Sequence, residues 1–232
     1  MVSLPRQRRS ARAVSIARMQ QIDATAIESI GIPRLLLMEH AGLAVARAVT
    51  TLASPSAGPI LVCCGTGFNG GDGLAAARHL HEWGYPLRLV VTGPLNRLRA
   101  EPATYATILQ RLSLPFVELP DMEALPRAER ALEGCGLIID ALLGIGAQGA
   151  VRDPIASLIG RLNRSGKPVI AVDLPSGVNG DTGLVAGTAV KATVTVALGL
   201  PKRGCFTGAG PSYAGSVIVD SITIPHALLE TD

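Results

Sequence analysis

Aromatic residues are scarce, phenylalanine, tyrosine and tryptophan together making up 3% of the 232 residues. Single-strand nucleic-acid binders stack bases on aromatic side chains, so that class is disfavoured, and a formal charge of +3 adds no case for a nucleic-acid partner. Much of that charge sits in Arg6, Arg8, Arg9 and Arg12, ahead of the first apolar repeat, which leaves the remainder near neutral. Cysteine is also sparse. Cys63, Cys64, Cys135 and Cys205 form no C-x-x-C pair, which speaks against a zinc site or a disulfide framework and for a reducing compartment. No apolar run reads as long enough to span a membrane, and the N-terminus lacks the apolar stretch of a secretory signal. The expectation is a soluble, cytoplasmic protein with no membrane partner. Residues 1–12, basic and without acids, read as a disordered tail, with a short transit peptide as the alternative. Residues 13–232 are expected to form a single domain, since 48% apolar content in a chain of this length supplies one good core.

What the chain does have is glycine, and its densest cluster organises the rest. In Leu61-Val-Cys-Cys-Gly65-Thr-Gly67-Phe-Asn69-Gly70-Gly71-Asp72-Gly73-Leu74 a short apolar run breaks into glycines and then takes up helical spacing at Leu74, Ala77 and Leu80. Residues 60–64, flanked by Gly58-Pro59 and Gly65, read as a buried parallel strand. A strand feeding a helix through glycines lets backbone N–H groups approach a phosphate at the positive helix end. Gly65, Gly67 and Gly70 also satisfy G-x-G-x-x-G, the dinucleotide-binding pattern. A hydride-transfer enzyme of that kind carries an acid at the end of its second strand. Here that strand, Leu87-Arg-Leu-Val-Val-Thr92-Gly93, ends without one, although Arg97 and Arg99 just beyond suit a 2′-phosphate. Asn69 and Asp72 lie inside the turn, where side chains face whatever the glycines admit; helix capping by Asp72 and a left-handed turn at Asn69 are the structural alternatives.

Two amphipathic helices are expected before the first strand, over residues 15–30 and 35–52, the second beginning near a Glu39-His40 pair that reads as exposed. From Ile60 onward strands are predicted at 60–64, 87–92, 115–119, 137–140, 168–172, 193–199 and 215–219. Helices are predicted near 73–83, 100–112, 122–133 and 154–163. This is a Rossmann-like α/β fold, a three-layer sandwich whose mostly parallel sheet is covered on both faces. The last two strands have no helical stretch between them, so an antiparallel edge is expected.

Ligands in such folds bind beyond the carboxyl ends of the strands, and two predicted strands end there in an acid. Leu137-Ile-Ile-Asp140 runs into Ala-Leu-Leu-Gly144-Ile-Gly146-Ala-Gln-Gly149-Ala, and Pro168-Val-Ile-Ala-Val-Asp173 into Leu-Pro175-Ser176-Gly177. Each acid has capping of the following turn open to it. Carboxylates gathered at a buried edge have to be paired, hydrogen-bonded or metal-bound, because unpaired charge is expensive to bury. Asp140, Asn69 and Ser176 together supply one carboxylate and two neutral oxygens, a set suited to potassium or sodium rather than zinc. Asp173 is then free for proton transfer.

Five groups of residues, in order, resemble the NAD(P)H-hydrate epimerase family, also called the YjeF N-terminal domain. They are Gly31-Ile-Pro33 with Leu37-Met-Glu-His-Ala-Gly42; Cys64 to Gly73; Asp140 to Gly146 with Val151-Arg152; Asp173 to Gly177 with Gly180-Asp-Thr-Gly183; and Val190-Lys-Ala192 with Leu200-Pro-Lys-Arg-Gly204. The resemblance covers about Ser15 to Pro225. It implies an isomerase, usually a homodimer, that interconverts the two C6 epimers of hydrated NADH or NADPH (NADHX, NADPHX) for repair by a separate dehydratase. It implies potassium held by Asn69, Asp140 and Ser176. Substrate would be contacted by Phe68, Asn69, Gly70, Gly71 and Asp72, by the loop Gly144, Ile145, Gly146, Ala147, Gln148, Gly149 and Ala150, and by Asp173, which faces the damaged ring. On this reading Asp173 protonates the C6 hydroxyl as it leaves, and water returns to either face of the resulting iminium. Phe68 departs from an asparagine usual in the family, and Ile155 from a common tyrosine. Many relatives continue into a dehydratase domain beyond the equivalent of Asp232, so a stand-alone epimerase or part of a longer chain is expected. A catalytically silent scaffold, of the kind found in RNA-decapping proteins, is the alternative, disfavoured by Asn69, Asp140, Asp173 and Ser176. Lys191 and Lys202, both in matching segments near the last strands, are open to two readings, reaching the site or facing solvent at strand ends.

Overall fold

Short β-branched runs bounded by glycine and proline become the strands of one parallel sheet in this computed structural model, which describes residues 13–230 except Gln148. In chain order the elements are α1 (Ile16–Ala24), α2 (Arg34–Leu52), β1 (Ile60–Cys64), α3 (Phe68–Glu82), β2 (Leu87–Val91), α4 (Ala100–Arg111), β3 (Phe116–Glu118), α5 (Leu125–Arg130), β4 (Leu137–Ala141), α6 (Ile155–Arg164), β5 (Val169–Val172), β6 (Val194–Leu198), α7 (Pro211–Ala214), β7 (Ser216–Asp220) and α8 (His226–Leu229). The expected basic tail, residues 1–12, lies outside the described residues.

Seven strands line up in the order β3-β2-β1-β4-β5-β6-β7 among the described residues. Every neighbouring pair is parallel. That corrects the expected antiparallel edge: β6 and β7 are joined by residues 199–215, long enough to cross over through a 3₁₀ turn and the short α7. A parallel return needs a crossover of a dozen or more residues, and irregular backbone supplies it here as well as a long helix would.

Alternate residues of each strand face opposite sides, and the core divides accordingly. Ile60, Val62 and Cys64 of β1 and Leu137, Ile139 and Ala141 of β4 pack with α1, α2, α3 and α4. Leu61, Cys63 and Ile138 face α5 and α6. Contrary to the expectation of no membrane-length apolar run, α2 is by length and composition apolar enough to cross a bilayer. Half of it is buried in the fold, with Val45 and Val49 inaccessible, as in a core helix. It lies against α3, where a Cβ on Gly42 would come within 2.5 Å of the Ala75 methyl carbon.

The chain leaves β1 toward one edge of the sheet and returns through β4 on the other side of β1. The loops after β1 and β4 therefore part company at this switch point and leave a crevice. There α3 begins at Phe68, five residues before the predicted start, because its first turn is almost bare of side chains and carries no apolar period. The backbone approach is close: a Cβ on Gly65 would lie 2.0 Å from the Leu142 carbonyl oxygen, so only glycine fits.

Candidate active site

A cavity of about 660 Å³ opens at this switch point. One wall is α1, with Met19, Asp23 and Ile27; another is the start of α3; a third is the strand ends, with Asp173, Leu198 and Lys202. The N-cap position of α3, Gly67, has no side-chain cap, which leaves N–H groups of the first turn facing the crevice with the positive end of the helix dipole.

The candidate residues divide between this cavity and its surroundings. Phe68, Asn69, Gly70 and Asp72 line it, as do Gly144, Ile145, Gly146, Ala147 and Asp173. Gly71 instead packs behind the wall, where a Cβ would lie 2.6 Å from Met38. Gly149 and Ala150 line a second cavity of about 580 Å³ between this loop and residues 174–186. Gln148 lies outside the described residues. Phe68, in the place of the expected amide, is half exposed and holds the Arg34 guanidinium 4.5 Å from its ring centroid, a cation–π contact at the rim.

Asp140 and Asp173 end strands alike in sequence but serve different places. Asp140 still belongs to β4, in register with Ile138 on the α5–α6 side, and is fully buried behind the cavity wall. Its Oδ2 accepts from the Ser176 N–H (2.8 Å) and its Oδ1 from the Ser176 hydroxyl (2.6 Å) and the Leu142 N–H (3.3 Å). The Ser176 oxygen in turn accepts from the Leu143 N–H (2.9 Å), and the Asn69 amide donates to the Leu143 carbonyl (3.1 Å). Asn69, Asp140 and Ser176 thus meet around the Leu143 peptide. Gly144 allows the approach, since a Cβ there would lie 2.9 Å from that of Asn69. Burial pushes the Asp140 carboxyl up to about 6 despite the hydrogen bonds from Ser176 and Leu142 that favour its charge.

Asp173 follows the end of β5 with φ of +67°, a left-handed conformation that aspartate tolerates better than most residues and that marks functional turns. The turn swings its carboxylate back over the strand ends, where Oδ1 accepts from the Leu198 N–H (3.0 Å) and from the Lys202 ammonium. Lys202, for which the sequence leaves both readings open, lies at the site. It is 1% exposed, donates also to the Leu198 carbonyl (2.7 Å), and is held by the chain on either side through Val14 N–H to Pro201 and Arg203 N–H to Val14. Lys191, by contrast, is exposed.

Besides the exposed Glu28, the cavity carries the carboxyl groups of Asp23, Asp72 and Asp173 and one buried ammonium already committed to Asp173. Loss of water and the nearby Asp173 and Asp23 carboxylates push Asp72 well above the usual range, which Lys202 only partly offsets. Burial likewise raises Asp23 to about 6, against the favourable fields of Lys202 and Arg34. Asp23 escaped the sequence reading, although it directly follows Ile22 in the buried stripe of α1. Asp72 does not cap α3; it sits within it. Nor is Glu39 an exposed residue. It is half-buried, paired with Arg78 and His79 of α3, and accepts from the Tyr105 hydroxyl (2.7 Å), tying α2, α3 and α4 together behind the glycine turn.

Three comparisons bear on what this arrangement belongs to. The chain is 42% identical to an NAD(P)H-hydrate epimerase of Limosilactobacillus fermentum over 90% of its own length and 95% of that protein's. It is 40% identical to the bifunctional NAD(P)H-hydrate repair enzyme Nnr of Coxiella burnetii, again over 90% of this chain but 41% of that one. The crystal structure of yeast ynu0 superposes with a TM-score of 0.80 at 25% identity, covering 94% of this chain and 91% of the yeast chain. Residues 34–204, from the start of α2 past Lys202, match the family described as YjeF-related protein N-terminus, and the chain belongs to that family.

Proposed function

We propose that the protein is an NAD(P)H-hydrate epimerase, an isomerase that interconverts the R and S forms of NADHX and NADPHX so that a dehydratase can return the coenzyme to use. The observation that carries this reading is the cavity at the β1–β4 switch point, where an uncapped helix N-terminus faces an acid–base residue paired with a buried lysine. The first suits a pyrophosphate and the second a ring that exchanges a hydroxyl. A hydride-transfer enzyme would instead want an acid beyond β2, and Thr92-Gly93 stand there.

In this reading C6 loses its hydroxyl as water while the N1 lone pair forms the N1=C6 bond, and water then adds to either face of the flat cation. Asp173 is the acid–base group at that carbon, and its Lys202 partner fixes where the carboxylate points. The cavity presents the Asp173 carboxylate to the positive ring. Potassium fits the neighbouring set. Asp140 is a buried carboxylate with no ion-pair partner among the described residues, and the oxygens around it, from Ser176, Asn69 and the Leu143 peptide, are hard donors of one net negative charge. When bound there, the ion would supply positive charge beside the loop that follows β4. The homodimer and the cytoplasmic setting are proposed with it; free, buried Cys63, Cys64, Cys135 and Cys205 suit a reducing compartment.

The test is direct. R-NADHX is incubated with an S-specific dehydratase, with and without the protein and with potassium or choline as cation, and coenzyme recovery is followed. Recovery of the R form no faster than its spontaneous epimerisation would overturn the proposal.

A further inference from the structure

Epimerisation at C6 moves a proton twice, once to the departing hydroxyl and once from the water that returns to the opposite face. A single carboxyl group on one side of the ring serves one of these steps. The cavity has a second carboxyl group on another wall: Asp23 projects from α1, beside Met19 and Ile27, while Asp173 projects from the turn after β5, beside Leu198. A ring placed between α1 and the strand ends has one of them on each side.

We propose that Asp23 is the second acid–base residue of the site, acting from the α1 wall while Asp173 acts from the strand ends. This rests on the epimerase reading above. In one direction the protonated carboxyl gives its proton to the C6 oxygen, the C6–O bond breaks with its electron pair going to oxygen, and N1=C6 forms from the nitrogen lone pair. A water molecule on the other face then adds through its oxygen lone pair, the N1=C6 electrons return to nitrogen, and the excess proton passes to the opposite carboxylate. One water leaves and one enters, and one proton is donated and one is accepted. In the reverse direction the two residues exchange roles.

Each direction needs one group to give a proton and another to take one, so kcat/KM follows a bell-shaped pH profile whichever epimer is supplied. The groups that face Asp23 are Asp173 and Lys202 from the strand ends, Asp72 from α3 and Arg34 at the start of α2. Burial and the Asp173 carboxylate oppose its charge while Lys202 and Arg34 support it, leaving it at about 6, within reach of both protonation states around neutral pH.

Rates with purified R- and S-NADHX across pH 5 to 9 test this in wild type, Asp23→Asn and Asp23→Glu, with melting temperatures taken alongside. Asp23→Asn should lose about 100-fold or more in kcat in both directions, hold KM within about threefold, and lose one limb of the bell. Asp23→Glu should keep partial activity and both limbs, since it moves the carboxylate without removing it. A near-wild-type kcat in Asp23→Asn, or a raised KM with both limbs intact, would overturn the proposal and leave Asp23 a contact only. If Asp23→Asn fails to fold, Asp23→Glu decides: both limbs unmoved at full rate overturn it. A wild-type protein inactive on both epimers would fail the epimerase reading itself, a different outcome.

Discussion

Replacing Lys202 with methionine tests the feature on which the site's charge balance turns. The ammonium is fully enclosed, and its removal leaves the Asp173 carboxylate without its cation and the Leu198 carbonyl without its 2.7 Å donor. Removing one partner of a buried ion pair costs about 3–5 kcal/mol, because the other charge is left uncompensated. With an unfolding entropy of about 2.1 cal/mol/K per residue, the 232-residue chain changes stability by roughly 0.5 kcal/mol per degree near its midpoint. The expected fall in Tm for Lys202→Met is therefore about 6–10 °C. Asp173→Asn keeps an oxygen for the Leu198 N–H and tolerates the left-handed turn, so the double variant should cost less than the sum of the singles, by about 2 kcal/mol or more. Thermal melts and urea titrations of all four proteins measure this. Single costs that add to within about 0.5 kcal/mol would show that the pair is not coupled and would remove Lys202 from the role given to it.

Three further outcomes follow from other parts of the site. Because burial raises Asp23 to about 6 from an ordinary 3.8, folding favours its protonated form, so its contribution is fully present below 3.8 and is lost as pH rises through 6. Asp23→Asn should accordingly gain stability over wild type at pH 8, by about 1 kcal/mol after discounting for partial exposure, and gain nothing at pH 3.5; the opposite order in paired melts would refute the assignment. Gly65→Ala places a methyl carbon 2.0 Å from a backbone oxygen, so β1 and β4 must separate at the crevice; expected is a loss of more than 10 °C in Tm or insoluble protein, and a wild-type melt would contradict the packing. Potassium at about a hundred times its Kd should stabilise by ~2.7 kcal/mol relative to choline, and Asp140→Asn should abolish the response; a cation response that survives in that variant would place the ion elsewhere.

Much of the fold was written in punctuation. Every predicted strand lies within about two residues of the observed one, because Gly and Pro flank short β-branched runs. The start of α3 was not legible for a related reason, since a helical turn made of Phe68, Asn69, Gly70 and Gly71 carries no apolar period to detect. Lys202 stayed open between two readings through distance and type: a lysine after a strand also suits a solvated charge, and the aspartate that justifies its burial lies 29 residues away. Asp23 left a fainter trace, an acid directly after the buried Ile22 in an amphipathic helix, where an acid reads as part of the solvated face.

Asp140 and Asp173 show where pattern stops and backbone decides. Both end apolar runs, and both precede glycine-rich loops, so the sequence treats them as equivalent. Asp140 remains inside β4, where the pleat alone directs its side chain, and the pleat sends it to the side away from the large cavity. Asp173 stands one residue past β5, and its positive φ breaks the alternation and turns the carboxylate toward Lys202. A one-residue difference in where the strand ends thus separates a carboxylate buried behind the wall from one that lines the cavity in front of it. The Leu143 peptide, bonded to both Asn69 and Ser176, is the link between the two compartments. On the epimerase reading proposed above, an ion behind the wall acts on the cavity through that loop, so Asp140→Asn should lower kcat while leaving KM unchanged in steady-state kinetics, and an unchanged kcat would refute the link.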